Sequence, residues 1–518
     1  MWKIAAVSSA RILKAAQSCI KLLRISRGNR SRFRNGHDWS EMKSSSSARL
    51  LLLVFLLIGL FLRVGAAIRF PNLHHEDEIF QTQEPAHRLA YGYGVVTWEW
   101  RRGIRSWVFP AFLAGVMRTT EWMGRGSKGY RWGIAIVLSL ISLTTVWFAF
   151  AWAKRASGME AAIVAAGACA TWYEMVFFAP KALTEVVAGH ALLPGLYLGV
   201  YGEGLQEKKR MFLAGIFCGL AMSLRIQLAP AVGFAALWFC YPNWRKRILP
   251  VAAGLLLPVV GFGLVDGITW SYPFQSFFLY FWVNVVEGRA KEFGMLPWYL
   301  YLELLSVHLG PIAFLAVMGI RRSAFLGWVA MIILLTHSVL AHKEVRFLYP
   351  LLPIVITLAA LGVMEVAPAF NTGRKSPLSS RMIVVSGLAF CVLSSCLLTP
   401  HFNWSRNSGG FAAIDQLSRD STLCGVGLFR LGWGYSGGYT HLHQNVPIVE
   451  IHEASEMDKE WRSFNAVVTG GSLPDSKGGF ELAGCWNHVC LYRRPGPCAP
   501  PQGDIELNQM LWQQMRAQ

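Results

Sequence analysis

Residues 74–110, HHEDEIFQTQEPAHRLAYGYGVVTWEWRRGIRSWVFP, set Glu76, Asp77, Glu78, Glu84 and Glu99 against His87, Arg101, Arg102 and Arg105, with Trp98, Trp100 and Trp107 between them. Carboxylates beside an apolar surface suit general-base work, because partial desolvation raises their basicity. An acidic helix start satisfied by backbone amides, with tryptophans as an interfacial belt, explains the same residues about as well. A second concentration, His342-Lys343-Glu344-Val345-Arg346-Phe347, stands between two apolar runs. Its cationic side chains suit a phosphate; the plainer alternative is snorkelling of Lys343 and Arg346 to headgroups, with Glu344 pairing one of them. Arg225, near the end of an apolar run, is either such an anchor or a ligand for an anionic lipid. Asp266 ends another run and precedes an aromatic stretch, beyond which Asn284, Arg289, Lys291 and Trp298 are weaker candidates for substrate contact.

The elements that must position these residues are membrane spans. The chain has 518 residues, 53% hydrophobic and 15% charged, against roughly a quarter charged for a soluble domain. Apolar runs near the length of a bilayer span, about 20 residues, recur from residue 50 to residue 399. We place eleven spans, near 50–67, 132–152, 159–179, 183–202, 211–225, 229–241, 248–265, 299–320, 324–341, 347–366 and 382–398, and an interfacial helix at 107–117. A single run could be a signal peptide; eleven cannot. The net charge of +19 does not mark a nucleic-acid binder, because the basic residues lie in the tail and in short connections.

With the basic tail, residues 1–49, on the cytoplasmic side, the clusters Lys154-Arg155, Lys208-Lys209-Arg210, Arg245-Lys246-Arg247, Arg321-Arg322 and Arg374-Lys375 all fall inside. The membrane body is then 50–399. Left outside are 68–131, 266–298, 342–346 and a C-terminal domain, 400–518, expected to be small and α/β or β-rich from the runs 466–469 and 489–492 and the turn Ser436-Gly437-Gly438. Its sequon Asn403-Trp404-Ser405 agrees with that side. Cys424, Cys485, Cys490 and Cys498 are disulfide candidates there, with connectivity open. No CxxC accompanied by a second ligand pair is present, which argues against zinc.

The residues Asp77-Glu78, Phe80-Gln81, Glu84-Pro85, His87, Tyr91-Gly92, Gly94, Thr97-Trp98-Glu99-Trp100 and Ile104-Arg105-Ser106 together resemble the first luminal loop of the family 22 glycosyltransferases. These are C-type membrane mannosyltransferases that use dolichyl-phosphate mannose. His342-Lys343-Glu344, Arg346-Phe347 and Pro350 resemble that family's second signature, and Asp266, Tyr272, Phe293-Gly294 and Pro297-Trp298 are similar to weaker features. The Thr97-Trp98-Glu99-Trp100 run resembles members acting on glycosylphosphatidylinositol (GPI) precursors and on lipid-linked oligosaccharide, and we favour the former. The family's Arg-Thr pair near the fourth span is represented here only by Lys181 and Thr184.

The resemblance implies an all-α polytopic membrane protein with the C-type glycosyltransferase fold. It implies mannose transfer, with inversion, from a lipid monophosphate to a lipid-linked glycan, in the endoplasmic reticulum of a eukaryote or the inner membrane of a bacterium, on the luminal or periplasmic face. Single displacement needs one base and a stabilised leaving phosphate. Asp77 is the expected base, with Glu78 as neighbour or substitute. Arg105, Arg225, His342, Lys343 and Arg346 are expected at the donor phosphate, and Gln81, His87, Trp98, Glu99, Asp266 and Asn284 at the substrates. No cofactor or metal is expected, since the outer loops carry no DxD-like pair. The expected partners are the two lipid-linked substrates and membrane lipids, with no nucleic acid. A transporter or lipid flippase is the rival class, but the sequence has no internal repeat and its charged motifs lie at span ends.

Overall fold

The computed structural model describes residues 40–202, 204–368, 379–473, 478–500 and 506–517. Residues 1–39 of the basic tail and the Arg374-Lys375 cluster lie outside the described residues. The chain divides into two compact units, Met1–Leu51 and Leu52–Gln518. All the candidate site residues and the sheet belong to the second.

Among the described residues, five helical segments are long and apolar enough to cross a membrane: Ala48–Arg69, Lys128–Ser157, Trp244–Thr269, Val345–Val366 and Ser380–His401. The pair Leu300–Leu309 and Pro311–Gly319 is bent by 104° and adds a sixth if it counts as one span. The expected eleven spans therefore appear as fewer long helices together with shorter ones. Thr184–Val200 has 17 residues and Ala229–Cys240 has 12, and at 1.5 Å per residue both fall short of a bilayer core of about 30 Å. The chain breaks where its residues require it. Gly158, at φ 89°, separates Lys128–Ser157 from Met159–Thr171, and Gly310 with Pro311 interrupts the bent pair. Outward faces such as Leu53, Leu57, Phe61 and Leu264 remain apolar and exposed, as lipid contact requires.

Contacts gather the described basic clusters at one end of these helices. Arg247 pairs with Glu207, Arg322 with Glu365 at 2.6 Å, and Trp152 Nε1 donates to Ser323 Oγ at 3.1 Å while its ring meets Tyr201. The helices starting or ending there carry Glu185, Arg225, Asp266 and Arg346 at their far ends. This separation is what charge asymmetry across a membrane predicts.

The C-terminal region forms a mixed five-stranded sheet of order β2-β1-β3-β5-β4. Its strands are β1 Val426–Phe429, β2 Ile448–Ile451, β3 Ala466–Thr469, β4 Glu481–Trp486 and β5 Val489–Arg493. β1 is parallel to β2 and β3, and β5 is antiparallel to β3 and β4. Disulfides join Cys424 to Cys498 and Cys485 to Cys490. One core contains Leu73, Ile79, Phe80 and Val95 of the first loop with Phe411, Ile414, Val426, Leu428 and Val468. Fully buried Glu84 fastens the two regions, accepting hydrogen bonds from the backbone of Val95, Tyr439 and Thr440 and from Thr440 Oγ1 at 2.6–2.9 Å. Four donors on one carboxylate make its burial tolerable.

Candidate active site

Asp77 immediately precedes a π-helical turn, Glu78–Gln83, a geometry found mostly as local bulges at functional sites. The two acids of this motif take different partners. Asp77 Oδ2 accepts from Arg346 Nη2, whereas Glu78 Oε2 accepts from Lys181 Nζ at 3.2 Å. Lys181 also donates to the carbonyl and side-chain oxygens of Asn72.

Arg346, 1% exposed, is the hub. Its Nε donates to Glu344 at 2.6 Å, its Nη1 to Glu185 at 3.0 Å, and its Nη2 to Asp77 and Glu344. Glu185 also faces Arg225 at 3.7 Å. His342 Nε2 reaches Glu344 at 2.8 Å, and His75 lies 3.5 Å from Asp77 and 3.7 Å from Glu344. A buried guanidinium is stable only with such compensation, and the planar fork suits several carboxylates at once. Burial alone pushes Asp77 upward, but the Arg346 charge and the His75 hydrogen bond outweigh it and hold the carboxyl well below the usual carboxylate range. In Glu344, too, burial is outweighed by Arg346, and the carboxyl is held at about 2. Both are ionised near neutral pH, so the rise in basicity expected from desolvation is reversed at Asp77 by Arg346 and His75.

Beside this web lies a cleft of about 640 Å³, lined by Gln81, Arg105, Ser106, Arg225, Gln227 and Tyr280 among others. Arg105 pairs with Glu99 at 2.6 Å, and Gln81 donates to the same Glu99 oxygen at 3.3 Å. The Nε atoms of Arg105 and Arg225, Ser223 Oγ and Gln227 Oε1 are buried with no partner among the described residues. Two arginine N–H groups left unpaired in one cleft are donors that an anion can use.

The structure thus brings together Asp77, Gln81, Glu99, Arg105, Arg225, His342 and Arg346, and it sets the other candidates apart. Lys343 donates to the carbonyls of Leu296 and Leu340, apart from the carboxylates that Arg346 holds. Arg346 directs four hydrogen bonds to the carboxylates of Asp77, Glu185 and Glu344, a pairing that orients Asp77. His87 is fully buried between the Tyr93 carbonyl and His443, in the joint with the C-terminal region, and is no substrate contact. Asp266 accepts from the backbone and hydroxyl of Ser276, fastening a helix end to the aromatic stretch. Asn284 donates to the Tyr280 carbonyl, and Trp98 lies against Arg289 and Phe293.

Sequence reasoning missed Glu185 and gave no role to His75. Glu185 carries a signal, an acid opening an otherwise apolar helix. His75, Asp77 and Glu344 bring ligand atoms within 4.8 Å of one another, close enough to hold a cation. Arg346 already neutralises the two carboxylates of that group.

Comparison with known proteins gives the chain its family. The chain is 26% identical over 416 residues to GPI mannosyltransferase 3 of Yarrowia lipolytica, covering 76% of each protein. It is 26% identical over 336 residues to mouse GPI alpha-1,2-mannosyltransferase 3, covering 61% of this chain and 58% of that one, under two thirds of its length. The crystal structure of ArnT from Cupriavidus metallidurans bound to undecaprenyl phosphate superposes with a TM-score of 0.58 at 13% identity, covering 89% of this chain and 99% of ArnT, a likeness of fold alone. Residues 51–423 match the Alg9-like mannosyltransferase family, and since that is well over half of the sequence, the chain belongs to this family of membrane glycosyltransferases.

Proposed function

We propose that the chain transfers mannose from dolichyl-phosphate mannose to a GPI precursor, with inversion. The carrying observation is an ionised, half-buried carboxylate, Asp77, held by Arg346 next to a cleft in which Arg105 and Arg225 keep unpaired N–H groups. The names of the yeast and mouse relatives favour a GPI acceptor. The ArnT complex favours a polyprenyl-phosphate ligand for the same C-type fold.

In this reading Asp77 accepts the proton of the acceptor hydroxyl as its oxygen bonds to the anomeric carbon. The bond from that carbon to the donor phosphate breaks, and the phosphate leaves with the electron pair into the cleft. Arg105 and Arg225 stabilise the departing charge. Arg346 keeps Asp77 oriented and ionised, and Glu185 couples it to Arg225. The site lies at the helix ends remote from the basic clusters, which favours a luminal face in the endoplasmic reticulum and an eleven-segment topology that includes the shorter helices. No metal takes part, because protein cations do the work at the phosphate.

The test is purified chain in lipid, offered dolichyl-phosphate mannose and a panel of lipid-linked acceptors, with and without chelator. Transfer to a GPI precursor that persists in chelator is expected. Absence of transfer to every acceptor, with each substrate verified on a known enzyme, would sink the proposal, and strict dependence on added manganese or magnesium would move the phosphate site to the group formed by His75, Asp77 and Glu344.

A further inference from the structure

A second cavity, about 690 Å³, opens on the other side of the π-helical turn. Glu78, Ile79 and Gln83 of the turn line it, whereas Gln81 and Thr82 line the arginine cleft. The turn therefore forms a wall between two chambers. The chemistry of the second chamber is different. Its charged groups are matched, Lys181 with Glu78 and Arg131 with Asp415, and one arginine lines it where two line the other cleft. Phe177, Trp404 and Phe411 line it; Phe177 lies between Phe402 and Lys181 and Phe411 against His441, and Trp404 is the half-buried ring of the three.

Two polar groups there, on His441 and Arg131, lack a partner among the described residues. His441 is 5% exposed, stacks on Phe411 with ring centroids 4.0 Å apart, and presents Nδ1 to Arg131 Nη1 at 3.4 Å. A guanidinium can only donate, so Nδ1 accepts and the ring proton sits on Nε2. Burial first, and the Arg131 charge second, keep the ring neutral by pushing its pKa well down. Nε2 is buried without a partner among the described residues, and so is Arg131 Nε in the same cavity lining. The chamber also reaches Ala66, Ala67 and Phe70 at the end of the Ala48–Arg69 span, where Phe70 is 44% exposed. A headgroup inside could keep its tail in lipid.

We propose that this chamber holds a sugar ring of the lipid-linked glycan acceptor other than the one whose hydroxyl meets Asp77 across the turn. It rests on the mannosyltransferase reading and gives the acceptor a place separate from the donor phosphate. Mixed donors and acceptors on aromatic faces suit a neutral, hydroxyl-rich ring, which needs both hydrogen-bonding senses and presents C–H faces for stacking. An anionic headgroup suits the arginine cleft better. His441 Nε2–H and Arg131 Nε–H donate to sugar oxygens, and Glu78 and Gln83 supply acceptors at the turn.

The test compares wild type with His441→Phe, which keeps the stacking ring, and Trp404→Leu at the mouth, each checked for an unchanged melting temperature. Two readouts are taken from the full chain in lipid. The first is transfer kinetics: KM for the acceptor should rise about tenfold, the effect of one lost buried hydrogen bond, with KM for dolichyl-phosphate mannose unchanged. The second needs no turnover: an octyl mannoside with a diazirine in its chain should crosslink to the peptides around Phe70 or Trp404, in competition with plain octyl mannoside and less in both variants. Crosslinking without any transfer would retain the sugar chamber and count against the mannosyltransferase reading alone. Unchanged acceptor KM together with no specific crosslinking would overturn the proposal, and competition by a phosphatidic acid but not by octyl mannoside would make the chamber a phospholipid site instead.

Discussion

Asp77 and Glu78 are neighbours in sequence and opposites in setting. Asp77 belongs to a web of three carboxylates around one guanidinium, shared with Glu185 and Glu344 and bordering the arginine cleft. Glu78 belongs to a simple pair with Lys181, facing the chamber of Trp404 and His441. Successive residues on a helical turn point about 100° apart, so one backbone turn distributes two like side chains between two compartments. Chemical type does not decide a carboxylate's role here; its partners do.

The comparison breaks first at Asp77. Asp77→Asn should lower turnover at least ~100-fold, the lower end for removing a general base, with the fold intact. An equal loss in Glu78→Gln with near-normal Asp77→Asn would shift the base by one residue. Arg346→Ala should also cost at least ~100-fold in turnover, because the surviving carboxylates repel one another. Arg346→Lys should restore only part of it, since an ammonium cannot span three carboxylates as the guanidinium fork does. Arg225→Ala should reduce kcat/KM for the donor by ~30-fold, as expected for one lost charge-assisted contact at a leaving phosphate. Measurement at varied donor and saturating acceptor checks it. Glu78→Gln should cost under ~10-fold, because Asn72 continues to hold Lys181.

The smallest effect concerns pH. Glu344, held at about 2 in the fold, has an unfolded value of about 4.3. Its stabilisation is therefore present above the unfolded value and lost as pH falls through the folded one. The melting gap between wild type and Glu344→Gln should be constant from pH 7 to pH 5 and narrower at pH 3. A gap that widens on acidification would refute the assignment.

Much of this was legible in the sequence, but unevenly. Asp77 and Arg346 stand out as separate motifs, yet 269 residues part them, and nothing in either motif states that they meet. Lys343 and Arg346 look alike as cations at a span end, because spacing does not reveal that one points to carbonyls and the other to carboxylates. His87 sits within a charged run yet is buried, since the C-terminal region that covers it is contributed from far along the chain. The apolar runs mark helices well but hide their breaks, as the division of 159–179 into Met159–Thr171 and Tyr173–Phe178 illustrates. β3 and β5 are visible as β-branched runs, whereas β1, with Val-Gly-Leu-Phe, has only four residues and a glycine.

The Glu84 anchor has a consequence in time. The loop bearing Asp77 leaves the ribosome among the first parts of the chain, while Tyr439 and Thr440, whose amides Glu84 requires, are made near the end. Until they arrive, a carboxylate built for a dry interior has only water and the Val95 amide for company. The loop that bears Asp77 is therefore made early and anchored late, and a chain interrupted before Tyr439 leaves Glu84 with one of its four donors.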